Sequence, residues 1–131
     1  MKMHDITALF SVEGQELFGS AHATDVLLDE AHASFPSKPC CLVREWTLVD
    51  LDVTDDELNV LIKHGCHPTV LLALNVVSDE AGRFPPGGWV KSSFQVSFQR
   101  DYFFETGNTL YVLMGQGHRG SASVDAMSSL T

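Results

Sequence analysis

Five carboxylates fall within eight residues at Asp50, Asp52, Asp55, Asp56 and Glu57, a density that invites a divalent cation, because hard cations take oxygen ligands. The calcium-loop pattern fails there. Counted from Asp50, the sixth position, which needs glycine, is Asp55, and the twelfth, which needs glutamate, is Leu61. A local role accounts for these acids more cheaply. Thr54 followed by Glu57 is a capping box, and Asp55, Asp56 and Glu57 fall in the first turn of the helix it starts, where the helix dipole favours negative charge.

The second chemical candidate is His64, Cys66 and His67, with Cys40 or Cys41 as a fourth ligand, since thiolate and imidazole are the donors zinc prefers. These three residues form one short turn without a second ligand pair, so the spacing fits a helix C-terminus better, with His64 at the negative end of the dipole. A Cys66 or Cys40 nucleophile paired with a histidine has no local support, and free cysteines commonly serve as apolar filler. Three cysteines, two of them adjacent, give no disulfide framework. Gly115-Gln-Gly117-His-Arg-Gly120 fits G-x-G-x-x-G by letter, but the chain ends too soon to supply the crossover helix and second parallel strand of a dinucleotide unit. No catalytic, metal or cofactor site is therefore assigned from sequence.

The elements around these residues predict an α+β domain. Ile6, Leu9, Phe10, Leu17 and Phe18 space as one helix closed by Gly19, and a second runs from Thr24 as N-cap to the stop at Pro36. Phe35 to Cys41, with two prolines, reads as an extended linker. Leu42 to Asp52 alternates as a strand, although neither face is cleanly apolar. The capped helix ends at Gly65, and Thr69 to Val77 is a nearly continuous apolar run of strand length. Four further strands follow over 89–94, 95–98, 102–106 and 109–114. Turns at Asp79 to Gly82, Pro85 to Gly88 and Arg100-Asp101 and a Gly107-Asn108 hairpin loop separate them. The expectation is a mostly antiparallel sheet of about five strands, with two N-terminal helices and one inserted helix packed on it. Residues 116–131, rich in Gly, Ser and Ala, read as a flexible tail with at most a short helix near Val124 to Met127. In Tyr102-Phe103-Phe104 neighbouring rings must take opposite faces, so the sheet is covered on both sides or exposes aromatics to a partner.

Composition sets the outer bounds. The chain has 131 residues, 44% hydrophobic and 19% charged, with 17 acids against 8 Lys and Arg. That length predicts one domain able to bury about two thirds of its unfolded surface. No apolar run reaches the roughly 18 residues of a membrane span, and His4 and Asp5 interrupt any signal-peptide segment, which predicts a cytoplasmic protein. The charge is uneven. Residues 1–60 hold twelve acids against Lys2, Lys38 and Arg44, whereas from residue 61 five acids meet five bases. Such a field repels nucleic acid and attracts basic surfaces.

Three segments carry a family resemblance: Cys41-Leu-Val-Arg-Glu-Trp46, Gly88-Trp-Val-Lys-Ser-Ser93, and Phe104-Glu-Thr-Gly-Asn-Thr-Leu-Tyr-Val-Leu-Met-Gly115. Together, over about residues 35–117, they resemble a family of short uncharacterised bacterial proteins designated only as a domain of unknown function. Small proteins of this kind often lie near prophages and mobile elements. The resemblance thus implies a role in phage–host conflict, with no activity to transfer to particular residues.

The function expected from charge and resemblance is that of a non-catalytic, acidic protein-binding module. Its concrete form is an anti-CRISPR type of inhibitor that occupies the basic nucleic-acid groove of a defence nuclease. Its binding residues would be Asp50, Asp52, Asp55, Asp56, Glu57, Asp29 and Glu30, with no cofactor and no direct contact to nucleic acid or membrane. The alternatives are a small Cys/His metal protein or enzyme built on His64, Cys66 and His67, and a homo-oligomer such as a homodimer joined through aromatic strands.

Overall fold

Cys40–Asp52 forms one strand, β2, which organises the whole sheet in the computed structural model, which describes residues 15–129. Its neighbours in chain order are strand β1 (Gln15–Phe18), helix α1 (Thr24–Ser34), helix α2 (Asp55–Lys63) and strand β3 (Thr69–Asp79). There follow strands β4 (Val90–Lys91), β5 (Ser97–Gln99), β6 (Phe103–Glu105), β7 (Leu110–Leu113) and β8 (Gln116–Ser123), and helix α3 (Val124–Ser128). All eight strands belong to one mixed sheet.

β3 runs antiparallel along one edge of β2, with Cys41 opposite Asp79 and Asp50 opposite Thr69. The other edge of β2 is shared. β7 pairs parallel with Cys40 to Val43, and β8 continues parallel along Thr47 to Asp52. β6 then pairs with β7 and β1 with β8, both antiparallel. Residues 95–96 tie the far edges together: the Gln95 N–H donates to the Thr69 carbonyl, the His67 N–H to the Gln95 carbonyl, and the Val96 N–H to the Glu105 carbonyl. The sheet curls around a buried cluster that includes Cys41, Val43, Trp46, Leu48, Leu71, Phe104, Tyr111 and Leu113. Its other face is covered twice. α1 lays Leu27 and Ala31, one turn apart, on Cys40, Leu42, Phe103, Leu110 and Val112. α3 places Met127 against Val49, Val70, Leu72 and Ala122. Phe103 and Phe104 are thus both buried, on opposite faces.

This architecture corrects the expected α+β arrangement of two N-terminal helices and an inserted helix on a mostly antiparallel sheet. Of the first predicted helix, residues 6–14 lie outside the described residues, and Gln15–Phe18 are strand, in register with Gln116 to Arg119. Gly19 does not cap a helix; its N–H donates to the Gly115 carbonyl, and the Ser20 N–H to the Leu113 carbonyl. The second helix is present, with Ala23 in the N-cap position and Thr24 its first residue. The inserted helix α2 is present but buries no residue. The sheet is mixed because the chain crosses to β5 after β4, and the β5–β6–β7 meander brings β7 back beside β2 in parallel. Of residues 116–131, read from sequence as a tail with at most a short helix near Val124 to Met127, Gln116–Ser123 form β8 and Val124–Ser128 form α3, and 130–131 lie outside the described residues.

Candidate functional site

The acid-rich junction is built by the end of β2 and the start of α2. The capping box forms as its spacing requires: the Glu57 N–H donates to Thr54 Oγ1 at 3.1 Å and the Thr54 N–H to Glu57 Oε1 at 2.9 Å. The Thr54 N–H, with the Thr54 hydroxyl beside it, holds the Glu57 carboxyl below its ordinary 4.5. Loss of the Thr54 side chain in Thr54→Ala is expected to favour opening of α2 by about 1 kcal/mol, roughly fivefold faster exchange of its amides by hydrogen–deuterium measurement. The global melting temperature should hardly move, because α2 buries none of its residues.

Asp50 is committed elsewhere. Arg119 on β8 clamps it in two parallel bonds, Nε to Oδ2 and Nη2 to Oδ1, both 2.8 Å, and the Thr69 hydroxyl donates to Oδ1 at 2.8 Å. Burial opposes the charged form of Asp50, but the bonds from Arg119 and Thr69 outweigh it and lower its pKa. Glu30 is likewise used. It accepts from the Tyr102 hydroxyl and pairs with Arg100 at 3.1 Å, and the Tyr102 bond is the larger cause of its lowered pKa. Asp29, Asp52, Asp55 and Asp56 are exposed, with no side-chain partner among the described residues.

The seven acids singled out by sequence therefore do not form one surface. Asp29 and Glu30 lie on α1, which packs over Cys40 and Leu42 at the start of β2. Asp52 ends β2 and Asp55 to Glu57 follow it, so about 30 Å of strand separates the two groups. What remains beside the exposed acids at the β2–α2 junction is apolar: Val60 and Ile62 on α2 are 56% and 62% exposed. Sequence reading assigned the helix but could not tell that Val60 and Ile62 stay exposed while Leu58 and Leu61 are half-buried.

The same strand length separates Cys40 and Cys41, weighed from sequence as a fourth zinc ligand, from His64, Cys66 and His67. Cys66 sits between α2 and β3, beyond the Asp50 end of β2, whereas Cys40 and Cys41 start β2. His64 caps α2, and its Nδ1 donates to the Val60 carbonyl at 2.8 Å. The G-x-G-x-x-G segment is accounted for by packing: Gly115 takes a φ of 70° where β7 passes into β8, and Gly117 lies flat against the Trp46 indole.

A family model described as a domain of unknown function (DUF6957) matches residues 18–129. The chain belongs to that family. The match covers every described element except most of β1, which extends at both ends the 35–117 stretch that carries the sequence resemblance. No curated protein and no solved structure matches the chain. Among the described residues of this DUF6957 chain, no helix is long and apolar enough to cross a membrane.

One cluster in the DUF6957 fold brings together donors that sequence reading left apart. His32 in the last turn of α1, Cys40 at the start of β2 and Glu80 just past β3 place a ring nitrogen, a thiol sulfur and a carboxylate oxygen within 4.8 Å of one another. His32 Nε2 lies 2.8 Å from Glu80 Oε2, and the Cys40 N–H donates to Glu80 Oε1 at 2.8 Å. Burial works against the Glu80 charge, yet the bonds from Cys40 and His32 leave its pKa lowered. The Cys40 thiol is pushed up to about 12, first by burial and then by the Glu80 charge. Nothing local in the sequence marks this set, because His32 and Glu80 are 48 residues apart.

Proposed function

We propose that this DUF6957 protein is a non-catalytic binding module that presents the β2–α2 junction to a basic surface on another protein. One observation carries the reading: α2 is fully formed and capped, yet buries none of its residues, and it offers Asp55 and Asp56 beside exposed Val60 and Ile62. Apolar side chains that the fold leaves exposed on a capped helix are available to a partner, while a rim of acids selects a positively charged one and speeds the encounter. Asp52, Asp55 and Asp56 supply that charge, and Glu57 contributes while it caps the helix. Asp50, Asp29 and Glu30 are left out of the interface, two of them because they are paired internally and Asp29 because it lies at the other end of β2.

The concrete form of this partner is a Lys- and Arg-lined nucleic-acid groove on a defence nuclease, which the acids of α2 would occupy in place of phosphates. The compartment is the cytoplasm, a reading supported by three free cysteines.

Capture from the native host at about 50 mM salt should recover a partner, and the triple variant Asp52→Lys, Asp55→Lys, Asp56→Lys should weaken that complex more than tenfold. Raising the salt to about 500 mM should do the same, because rim charges are screened within a few ångströms there. A complex indifferent to both changes would refute the charged interface, and circular dichroism of the triple variant confirms that α2 stays folded.

A further inference from the structure

We propose that His32, Cys40 and Glu80 form a transition-metal site, with zinc as the ion best suited to it, held by one nitrogen, one sulfur and one oxygen donor from three different elements. The donor types are those of zinc centres, in which imidazole and carboxylate lie about 2.0–2.2 Å and thiolate about 2.3 Å from the ion. Two ligands on such an ion stand about 3.3–3.6 Å apart. The three side chains already lie within 4.8 Å of one another, so small side-chain rotations close the set around an ion. Three protein ligands leave the fourth tetrahedral position to water. Both His32 and Glu80 are exposed, so water and the incoming ion reach the site from outside, while the buried Cys40 forms its floor.

The surroundings fit this assignment. A metal-bound carboxylate is normally steered by an outer hydrogen bond, and the Cys40 N–H supplies one to Glu80 Oε1 at 2.8 Å. The strand pairing sets the spacing of the other two, since the Glu80 N–H donates to the Cys40 carbonyl at 3.0 Å. Without an ion the thiol lies 4.0 Å from the Lys38 carbonyl and beside the Glu80 carboxylate. Burial and the Glu80 charge keep it protonated at neutral pH. A bound cation reverses that balance: the Cys40 S–H bond breaks, the sulfur donates its electron pair to the metal and the proton passes to water, while the His32 proton that faces Glu80 shifts to Nδ1 so that Nε2 can ligate. His32, Glu80 and the Cys40 thiol face one another there, and Lys38, two residues away, is turned to Glu105 and the Thr106 carbonyl.

The site is independent of the α2 interface and stands or falls by separate measurements. The intact chain, freed of metal with a chelator, is titrated with Zn²⁺ by calorimetry and with Co²⁺ by absorption. The expected result is one equivalent of each, with a sulfur-to-cobalt charge-transfer band in the near ultraviolet. His32→Ala changes an exposed side chain and leaves the sheet intact. It should weaken Zn²⁺ binding more than tenfold, and Cys40→Ser should abolish the cobalt band. Cys66→Ser should change neither. Absence of Zn²⁺ binding at millimolar metal, or binding that survives His32→Ala unchanged, overturns the proposal. A cobalt band lost in Cys66→Ser and kept in Cys40→Ser overturns it equally, by moving the metal to the other end of β2.

Discussion

Gly117→Ala should destabilise the protein by about 3 kcal/mol or more, near the upper end of what a single added methyl costs in a packed interior. A Cβ on Gly117 would stand 2.3 Å from two ring carbons of Trp46, where carbon atoms prefer about 3.5–4.0 Å. Neither side can yield. Trp46 is buried, and its Nε1–H donates to the carbonyls of Met114 and Gly115 at 3.2 and 3.3 Å, so sliding the indole away forfeits that bond. Gly117 is held from both directions, by β1 opposite Leu17 and by β8's pairing with β2, where its neighbour His118 meets Thr47. A drop in melting temperature of roughly 10 °C is expected from the enthalpies of domains of this size. Trp46→Leu makes room, so Gly117→Ala should cost much less in that background, and the double-mutant cycle measures the contact itself. An alanine variant within about 1 kcal/mol of the parent would show that the indole does not lie on this glycine.

That contact also shows where sequence reasoning stops. Features carried by neighbouring residues were legible: the Thr54–Glu57 capping box, the turn from Asp79 to Gly82, and the Gly107-Asn108 loop, closed by the Thr106 N–H donating to the Thr109 carbonyl. Features that depend on distant partners were not. Gln15–Phe18 is too short for its period to choose between helix and strand, and its partner lies about a hundred residues downstream in β8. β2 looked apolar on neither face because its alternation slips at Glu45, whose φ of 52° breaks the extended path. Cys41 and Val43 before the slip share one buried cluster with Trp46 and Leu48 after it. β3 slips in step, since Val76 joins Ala73 and Leu71 in the same cluster. A strict two-residue period cannot see this, although each half of β2 alternates correctly. The candidate sites divide in the same way. The acids of α2 could be read from its capping signal, whereas the Arg119 clamp on Asp50 and the meeting of His32 with Cys40 and Glu80 exist only once the sheet has closed.

Asp79→Ala should cost about 2–3 kcal/mol at neutral pH and flatten the protein's response to acid. The Asp79 side chain is wholly buried at the exit of β3, where its carboxylate organises the turn beyond it. Oδ1 accepts from the Ala81 N–H at 3.2 Å, and Oδ2 from the N–H groups of Arg83 and Phe84 at 2.8 and 3.2 Å. Alanine removes the shared charged acceptor of three N–H groups of the turn, and hydrogen bonds to a charged group contribute about 1 kcal/mol or more each. Burial pushes the Asp79 pKa up, but the bonds from Arg83 and Ala81 prevail and hold it below the ordinary 3.8. The native state therefore binds fewer protons than the unfolded chain in this range. The contribution of Asp79 is complete above pH 3.8 and is lost as pH falls below that value through the folded pKa. Glu80 and Glu105, both lowered from 4.5, begin to lose theirs slightly earlier. Urea unfolding at pH 7, 4 and 3 separates these contributions: the parent should lose stability across the series, and Asp79→Ala should lose less between pH 4 and 3. The same variant should loosen Glu80, the next residue in the turn, and so weaken Zn²⁺ binding by His32 and Cys40 without touching either ligand. An acid response identical to that of the parent would mean that the turn is held by its backbone alone.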